Sequence, residues 1–316
     1  MEFELAADAL AAVLWATLTE VRAGTVKEVH FRRIGEGDAT QLADALRTNT
    51  SVKVLDLGEI GDACATQLAN ILRTNTSVRE LYLTSNSIGE AGATQLADAL
   101  RTNTSVMVLD LGDSEIGDAC ATQLADVLRT NTSVEKLYLR QTSIGDAGAT
   151  QLADALRTNT SVKTLDLSYN SIGEAGATQL ADALRTNTSV EELYLYDNSI
   201  GEAGATQLAD MLRTNTSVEE LGLYGNSIGY NIGAHTQDIY DALARNAARN
   251  AAARRLREQA WRRRRTLLMC LQRASVDERA PGGDAAPPID ASAVLLRVAA
   301  LPEELWKGPT SIFQYL

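Results

Sequence analysis

The sequence contains a block, TQLADALRTNTSV, that occurs seven times, either verbatim or with one or two changes, at a nearly constant interval. The opening threonines are separated by 26 residues once and by 28 residues five times. They are Thr40, Thr66, Thr94, Thr122, Thr150, Thr178 and Thr206. A fixed period between about 20 and 50 residues is typical of solenoids, in which each unit buries its apolar face only against its neighbours. The interval therefore predicts a stack of similar units rather than one central core.

Each unit has a short strand pattern followed by a helix pattern. The stretch Val-x-x-Leu-x-Leu at residues 190–195 ends in the alternation of a strand, and residues 200–212 place apolar side chains at helical spacing. Ser199 precedes Glu202 by three residues, which predicts a capping box at the helix start. The Asn-Thr-Ser triplets that follow each helix predict loops, because these side chains bond to nearby backbone. Eight strands are predicted, starting at Val26, Val52, Val78, Val106, Val134, Val162, Val190 and Val218.

Three units carry a longer signature, in which the strand ends in asparagine and is followed by Ser-Ile-Gly-Glu-Ala-Gly. Their strands read LYLTSN from Leu81, LDLSYN from Leu165 and LYLYDN from Leu193. These units resemble leucine-rich repeats of the ribonuclease-inhibitor type, which also form the repeat regions of NOD-like receptors and of Ran GTPase-activating proteins. The resemblance implies a curved horseshoe with a parallel concave sheet and convex helices. Ser114 and Thr142 replace the asparagine, and the first two units are two residues short at that turn, so less regular turns are expected in units one, two, four and five.

Pattern and composition divide the chain into five predicted segments. Residues 1–25 are predicted as an N-terminal capping helix, and residues 26–244 as a repeat domain of about eight units and a final helix. Residues 245–274 are predicted as an arginine-rich helix, 275–293 as a flexible linker and 294–316 as a short C-terminal helical segment. All five prolines lie after the arginine-rich segment, which is typical of a linker and a tail. The predicted fold class is an α/β solenoid with a helical, partly disordered C-terminal tail.

The residues between the core leucines of each strand are predicted to point to the concave face. The middle position alternates aspartate and tyrosine through six units, in the order His30, Asp56, Tyr82, Asp110, Tyr138, Asp166, Tyr194 and Gly222. The position before it runs Glu28, Val54, Glu80, Val108, Lys136, Thr164, Glu192 and Glu220. The position after it runs Arg32, Gly58, Thr84, Gly112, Arg140, Ser168, Tyr196 and Tyr224. The alternation also indicates duplication in 56-residue pairs, so it is not by itself a sign of recognition.

The last two strands add to this inherited pattern. Glu192, Tyr194, Tyr196, Glu220 and Tyr224 are predicted to form an aromatic, acidic patch near the C-terminal end of the concave face. Tyrosine offers large, rigid contact area and is enriched at interface hot spots. The alternative is that tyrosine simply suits an exposed strand and was copied by duplication. The predicted partner-binding residues are the five of the patch together with Tyr138 and Asp166.

The charge of the chain is distributed unevenly. Residues 26–229 carry 28 acidic and 15 basic side chains, whereas residues 230–316 carry 9 acidic and 13 basic ones. An acidic body repels nucleic acid and anionic membranes, and favours a protein partner with a basic surface. No stretch approaches the roughly 20 apolar residues of a membrane span, and the first residues lack the basic start of a secretory signal. The expected localisation is cytoplasmic or nuclear, without membrane insertion and without nucleic acid as a partner.

The sequence shows no spacing that favours catalysis or metal binding. Its two histidines, His30 and His235, lie at opposite ends of the repeats, and no serine, histidine or cysteine cluster suits nucleophilic chemistry. Asp56, Asp110 and Asp166 share a column, but the intervening tyrosine strands put each roughly 10 Å from the next. Metal ligands must lie within about 2.6 Å of one ion. We therefore predict no catalytic residues, no metal site and no cofactor.

The C-terminal tail carries two further signals. A basic run could be a nuclear import signal, a nucleic-acid contact, a solvated helix face, or a segment that folds against the acidic body of its own or a sister molecule. It consists of Arg254, Arg255, Arg257, Arg262, Arg263, Arg264 and Arg265. The stretches LPEELW from Leu301 and IFQYL from Ile312 resemble the opening of an F-box, interrupted near Lys307.

The function predicted from these features is a non-enzymatic protein–protein interaction scaffold that binds a partner on the concave face. The alternative is a regulator of an enzyme. Such a regulator would be either a small-GTPase activator, as the likeness to Ran GTPase-activating proteins implies, or a ubiquitin-ligase adaptor acting through the F-box-like tail.

Overall fold

A computed structural model of the chain describes residues 2–31, 34, 36–228, 239, 241–253 and 255. The chain divides into two compact units, Met1–Ala247 and Ala248–Leu316. The first unit contains all the named helices and strands. In the described part of the second unit, residues 248–253 and 255 are helical.

The compact unit Met1–Ala247 is built on one open parallel sheet, in which each strand pairs with the strand of the next repeat. The alternating strand and helix order confirms the α/β solenoid. Each strand covers the residues around the first core leucine, so it begins two residues after the predicted valine. The strands are β1 (Glu28–Phe31), β2 (Val54–Leu57), β3 (Glu80–Tyr82), β4 (Val108–Asp110), β5 (Lys136–Tyr138), β6 (Thr164–Asp166), β7 (Glu192–Tyr194) and β8 (Glu220–Gly222).

The helices alternate with the strands along the chain, and consecutive helices pack against each other. They are α1 (Glu2–Ala23), α2 (Glu36–Leu46), α3 (Asp62–Leu72), α4 (Glu90–Leu100), α5 (Gly117–Leu128), α6 (Asp146–Leu156), α7 (Glu174–Leu184) and α8 (Glu202–Leu212). In the part of the chain that the structure describes, no helix is long and apolar enough to cross a membrane.

The core lies between the sheet and the helices and uses the same apolar positions in every unit. In the sixth unit, Val162, Leu165 and Leu167 of the strand segment are at most 1% exposed, as are the leucines of the neighbouring helices. Fully burying one such side chain contributes about 1.5–3 kcal/mol. At the N-terminal end, Leu14 and Leu18 of α1 are buried and cover the core of the first repeat. The core therefore repeats because each unit meets nearly identical neighbours.

The asparagine of every Asn-Thr-Ser triplet joins its own unit to the one before it. Asn159 shows the pattern: its Nδ2 donates to the carbonyl oxygens of Leu128 (2.8 Å) and Asn131 (3.1 Å). Its Oδ1 accepts hydrogen bonds from the backbone N–H groups of Ser161 and Val162, both at 2.9 Å. Buried asparagines with equivalent bonds to the preceding unit stand at Asn75, Asn103, Asn131, Asn187 and Asn215. We call this row the asparagine ladder.

The asparagine ladder extends into the elements at both ends of the repeats. Asn49 Nδ2 donates to the carbonyl of Val21 in α1, at 2.6 Å. At the other end, Asn246 Nδ2 donates to the carbonyls of Asn215 (3.1 Å) and Val218 (2.8 Å). Buried carbonyls that would otherwise lack a donor are thus satisfied along the whole stack.

The capping box predicted at the helix starts is wrong. The N-cap residue of α8 is Gly201, and no side chain caps the helix there. In three units the cap instead comes from the helix of the preceding unit. Asp118 Oδ1 accepts the N–H groups of Gly145 (2.7 Å) and Gly148 (3.0 Å) at the start of α6. A Cβ at residue 148 would lie 2.6 Å from this oxygen, so the approach requires glycine.

The turn that contains Ser114, where the asparagine is replaced, is irregular. In the seventh unit, Asn198 Oδ1 accepts the N–H of Ile172 at 2.9 Å and its Nδ2 donates to Leu167 O, also at 2.9 Å. Ser114 makes no equivalent bridge: its hydroxyl reaches only the carbonyls of Asn86 and Gly112, at 3.5 and 3.3 Å. The chain then passes through Gly117 with φ of 69°. The less regular turn expected at Ser114 is therefore present.

Candidate interaction surface on the open face

The sheet face that looks away from the core leucines, which we call the open face, carries the predicted columns of side chains. The strand register pairs Tyr138 with Asp166, and Asp166 with Tyr194. The neighbouring column pairs Thr164 with Glu192 and Glu192 with Glu220. All of these are successive strands, so side chains of one column lie about 4.8 Å apart at their Cα atoms. The predicted partner-binding residues on β5 to β8 therefore form one continuous surface.

A hydrogen-bonded network links the acidic residues to tyrosine at the C-terminal end of the open face. Tyr194 donates its hydroxyl hydrogen to Glu220 Oε2 at 2.6 Å, and Glu192 Oε2 lies 3.4 Å from the same hydroxyl. Glu192 Oε2 also accepts from Thr164 Oγ1 at 3.0 Å. Burial, followed by the bond to Glu220, raises the pKa of Tyr194. The phenol thus stays protonated and donates its hydrogen to Glu220.

Two tyrosine rings lie side by side next to this network. The rings of Tyr194 and Tyr196 have centroids 5.8 Å apart and planes 17° apart, which is a stacked arrangement. The ring of Tyr196 lies over Gly222, where any Cβ would overlap the ring. Residue 222 continues the column of aspartates and tyrosines, so glycine is the feature that makes room for the stack. The sequence pattern did not indicate this role.

Tyr224 is the most exposed large hydrophobic residue of the described chain, at 83%, and Tyr196 is 36% exposed. Together with Glu192, Tyr194 and Glu220 they form what we call the C-terminal patch. In the part of the chain that the structure describes, no basic side chain forms an ion pair with either glutamate or a cation–π contact with either exposed ring. Among the described residues, the patch is therefore an acidic and aromatic surface with no basic side chain paired to it.

Tyr138 and Asp166 continue the surface toward the middle of the sheet. Burial, and then the charges of Glu192 and Asp110, raise the pKa of the Tyr138 hydroxyl. Asp166 turns back to its own chain, because its Oδ1 accepts the backbone N–H of Ser168 at 2.9 Å. Asp166 is thus engaged in an internal hydrogen bond and Tyr138 is half-buried, whereas the ring of Tyr224 is largely exposed.

An identical tripeptide on β3 offers an internal comparison. Glu80, Leu81 and Tyr82 match the sequence of Glu192, Leu193 and Tyr194, and Tyr82 donates to Glu80 Oε2 at 2.9 Å. Burial, then this hydrogen bond, raises the pKa of Tyr82 to about 12. The next strand, however, presents Val108 and Asp110 where β8 presents glutamate and glycine. The glutamate and tyrosine pair therefore occurs in both units, whereas the neighbouring residues of the patch occur only at β7 and β8.

Among the described residues, Arg140 contacts both a tyrosine ring and a carboxylate. The Arg140 guanidinium carbon lies 5.4 Å from the centroid of the Tyr169 ring. Its Nη2 lies 3.6 Å from Asp113 Oδ2. The pair stands at the end of the strand segments, at the same edge as the C-terminal patch. Neither Tyr169 nor Asp113 was singled out from the sequence, because the contact joins positions in three different units.

The N-terminal end of the open face has a different character. His30 Nδ1 lies 3.1 Å from Asp56 Oδ2, and its Nε2 lies 3.6 Å from Glu28 Oε2. The hydrogen bond to Asp56 is the main reason that the pKa of His30 is raised, and burial opposes it. In this region the aromatic rings of the patch are replaced by an exposed, hydrogen-bonded histidine.

The basic run lies almost entirely outside the described residues. Arg255 is exposed and helical. The remaining predicted residues of the run, Arg254, Arg257, Arg262, Arg263, Arg264 and Arg265, fall outside that range, as do the F-box-like stretches from Leu301 and Ile312.

The described residues also bear on metal chemistry and thiol reactivity. Within them, no three histidine, cysteine, aspartate or glutamate side chains are grouped to hold a metal ion. Cys64 and Cys120 are buried and form no disulfide among the described residues, and burial raises the pKa of the Cys120 thiol to about 12. A thiol in this state is inert as a nucleophile at neutral pH.

Comparisons with known proteins identify the repeats. A model of the TMOD/LMOD leucine-rich domain matches residues 114–223, and a leucine-rich repeat model matches residues 74–97 and 102–125. The units are therefore leucine-rich repeats, although the matches do not assign them to the ribonuclease-inhibitor type. A search of curated proteins finds no match.

Among solved structures, the chain is similar to Leiomodin-1 Actin-Binding Site 2, with 21% identity and a TM-score of 0.46 over 54% of this chain and 95% of that one. It is also similar to the tropomodulin C-terminal domain of Caenorhabditis elegans, with 18% identity and a TM-score of 0.43 over 61% of this chain and 98% of that one.

Proposed function

We propose that this chain is a non-enzymatic protein-interaction scaffold whose open face binds a partner with a basic surface, centred on the C-terminal patch. The observation that carries the proposal is the joining of two stacked tyrosine rings to two glutamates at one end of the sheet. Leucine-rich repeats present such a sheet face as a rigid surface, so little ordering cost accompanies binding.

The electrostatics of the open face support a basic partner. Acidic side chains outnumber basic ones across the repeats, which attracts positive charge during encounter. Within the patch, the tyrosine hydroxyl occupies only part of the acceptor capacity of Glu192 and Glu220, because each carboxylate can accept about four hydrogen bonds. The patch can therefore contribute apolar contact area and charge-assisted hydrogen bonds together.

The test uses affinity capture of partners from the native source, with the full-length chain as bait. Replacing both Tyr194 and Tyr196 by alanine removes the stack and the hydroxyl that holds the glutamates, so we expect the principal partner to be lost. The matched control is Tyr82→Ala, which removes the tyrosine of the identical tripeptide on β3 and should leave capture unchanged. Circular dichroism and urea unfolding establish that both variants stay folded. Undiminished capture by the folded double variant would refute the proposal.

The two regulatory alternatives remain predictions from the sequence, and each has its own assay. A small-GTPase activator would accelerate GTP hydrolysis by a purified small GTPase. A ubiquitin-ligase adaptor would retain ligase subunits, and would lose them when residues 301–316 are deleted. Self-association, which the charge split also predicts, is measured by light scattering of the full chain over a range of salt concentrations.

A further inference from the structure

We propose that the C-terminal patch recognises an arginine side chain exposed on the protein partner. This inference rests on the proposed function, and it goes further by naming the group that is bound. It follows from three features of the open face: an exposed ring, a pair of carboxylates, and the contact that the chain makes with its own arginine.

The exposed ring is that of Tyr224. Its backbone carbonyl accepts the N–H of Asp197 at 2.8 Å, which holds this residue beside the strand end of the preceding unit. The ring itself is 83% exposed. The neighbouring ring of Tyr196 stacks on Tyr194 and lies over Gly222, which has no side chain. A tyrosine ring face attracts a cation placed within about 6 Å of its centroid. The ring of Tyr224 is available for such a contact.

The pair of carboxylates belongs to Glu192 and Glu220, which meet at the hydroxyl of Tyr194. The remaining lone pairs of the two carboxylates can accept hydrogen bonds from a guanidinium, because this planar group carries five N–H donors in a fixed arrangement. An ammonium group is a compact, strongly hydrated charge that cannot lie flat on a ring while donating in that plane. The combination of ring and paired acids therefore favours arginine over lysine.

The chain contains one contact in which an arginine meets both a tyrosine ring and a carboxylate. Arg140 lies against the ring of Tyr169 and faces the carboxylate of Asp113. The arrangement stands at the same end of the strands as Tyr196 and Tyr224, where no arginine of the described residues supplies the cation. The C-terminal patch likewise presents tyrosine rings and carboxylates on one face, and among the described residues no arginine contacts them, so we assign the arginine to the partner.

The experiment measures binding of short glycine-serine peptides to the full-length chain by isothermal titration calorimetry. The peptides carry two arginines, two lysines or two citrullines at the same positions. We expect the arginine peptide to bind about fivefold more tightly than the lysine peptide, because it adds ring contact and planar hydrogen bonding to the same charge. The citrulline peptide keeps the planar shape without the charge, and should bind more weakly than both.

Two variants locate the effect. Tyr224→Leu keeps apolar bulk but removes the ring, so the preference for arginine over lysine should disappear. The matched control is Tyr169→Leu, an exposed tyrosine whose ring already carries Arg140, and this change should leave the preference intact. Glu220→Gln should weaken the arginine and lysine peptides alike, whereas Glu80→Gln at the identical tripeptide should weaken neither.

Equal affinity for the arginine and lysine peptides would overturn the inference, as would an unchanged preference in Tyr224→Leu. Either result would leave the proposed function standing if the tyrosine double variant still fails to capture the partner. If the Tyr194 and Tyr196 double variant captured the partner as well as the unchanged chain does, the proposed function itself would be refuted. The two failures are therefore distinguishable.

Discussion

The loops that follow the helices and the open face of the sheet are built from the same units, yet they use the repeat in opposite ways. In the loops, every unit places one asparagine against the unit before it, and the bonds hardly change along the stack. On the open face, units with identical tripeptides, such as those at Tyr82 and Tyr194, have different surroundings. Residues that face neighbouring units are fixed by them, and residues that face solvent are free to serve a partner.

The largest effect expected from this comparison is the loss of one member of the asparagine ladder. Asn159→Ala removes four buried hydrogen bonds to the backbone and leaves the carbonyl of Leu128 without its donor. We expect the free energy of unfolding to fall by about 3 kcal/mol or more, measured by urea denaturation. Exposed Thr160 in the same loop is the control, and Thr160→Ala should change stability by less than about 0.5 kcal/mol. Equal effects of the two changes would contradict the structural role of the ladder.

A smaller effect is expected where one helix caps the next. Asp118→Ala removes the acceptor of the Gly145 and Gly148 N–H groups at the start of α6. Loss of a helix cap costs about 1–2 kcal/mol, so the urea midpoint should fall measurably. Asp154→Ala is the comparison, because this aspartate makes only an exposed pair with Arg157. That pair is worth little, so a loss for Asp154→Ala as large as for Asp118→Ala would show that the cap is unimportant.

The open face should contribute little to stability even where its groups interact. The pKa of His30 is raised in the folded protein, chiefly by its bond to Asp56, so the protonated form is the one that folding favours. Its stabilisation is therefore complete below the unfolded pKa of about 6.5 and is lost as the pH rises through the folded pKa. Because the histidine is exposed, we expect about 0.5 kcal/mol or less.

Titration of His30 by NMR measures this directly. Asp56→Asn should move its pKa down toward the ordinary value, because the charged acceptor is lost. Asp44→Asn, which alters a distant pair with Arg47, should leave the titration unchanged. A pKa for His30 that is indifferent to Asp56 would mean that the open face lacks the contact seen in the structure.

Much of the fold followed from the sequence because the repeat imposes its own geometry. The constant interval and the alternating leucines predicted parallel strands in register, and the columns of Asp166, Tyr194 and their neighbours lie as expected. The capping box failed because Ser199 and Glu202 satisfy a local rule, whereas the observed caps reach from the preceding helix. The triplet asparagines were predicted only as loop residues, since bonds that span 28 to 31 residues leave no local pattern.

The candidate surface was predictable in outline only. Register placed Tyr194 beside Glu220, but the position of the Tyr196 ring depends on the absence of a side chain at Gly222. A glycine ordinarily weakens a strand, and no sequence pattern links Gly222 to a tyrosine in the neighbouring unit. Side-chain packing across units, rather than the period itself, distinguishes the last two strands.

The most direct test of the central claim is hydrogen–deuterium exchange of the full chain, alone and bound to the captured partner. We expect slower exchange on binding in residues 192–196 and 220–224, while residues 80–84, which contain the identical tripeptide, stay unchanged. Protection confined to the helices, or equal protection at residues 80–84, would contradict an interface centred on the C-terminal patch.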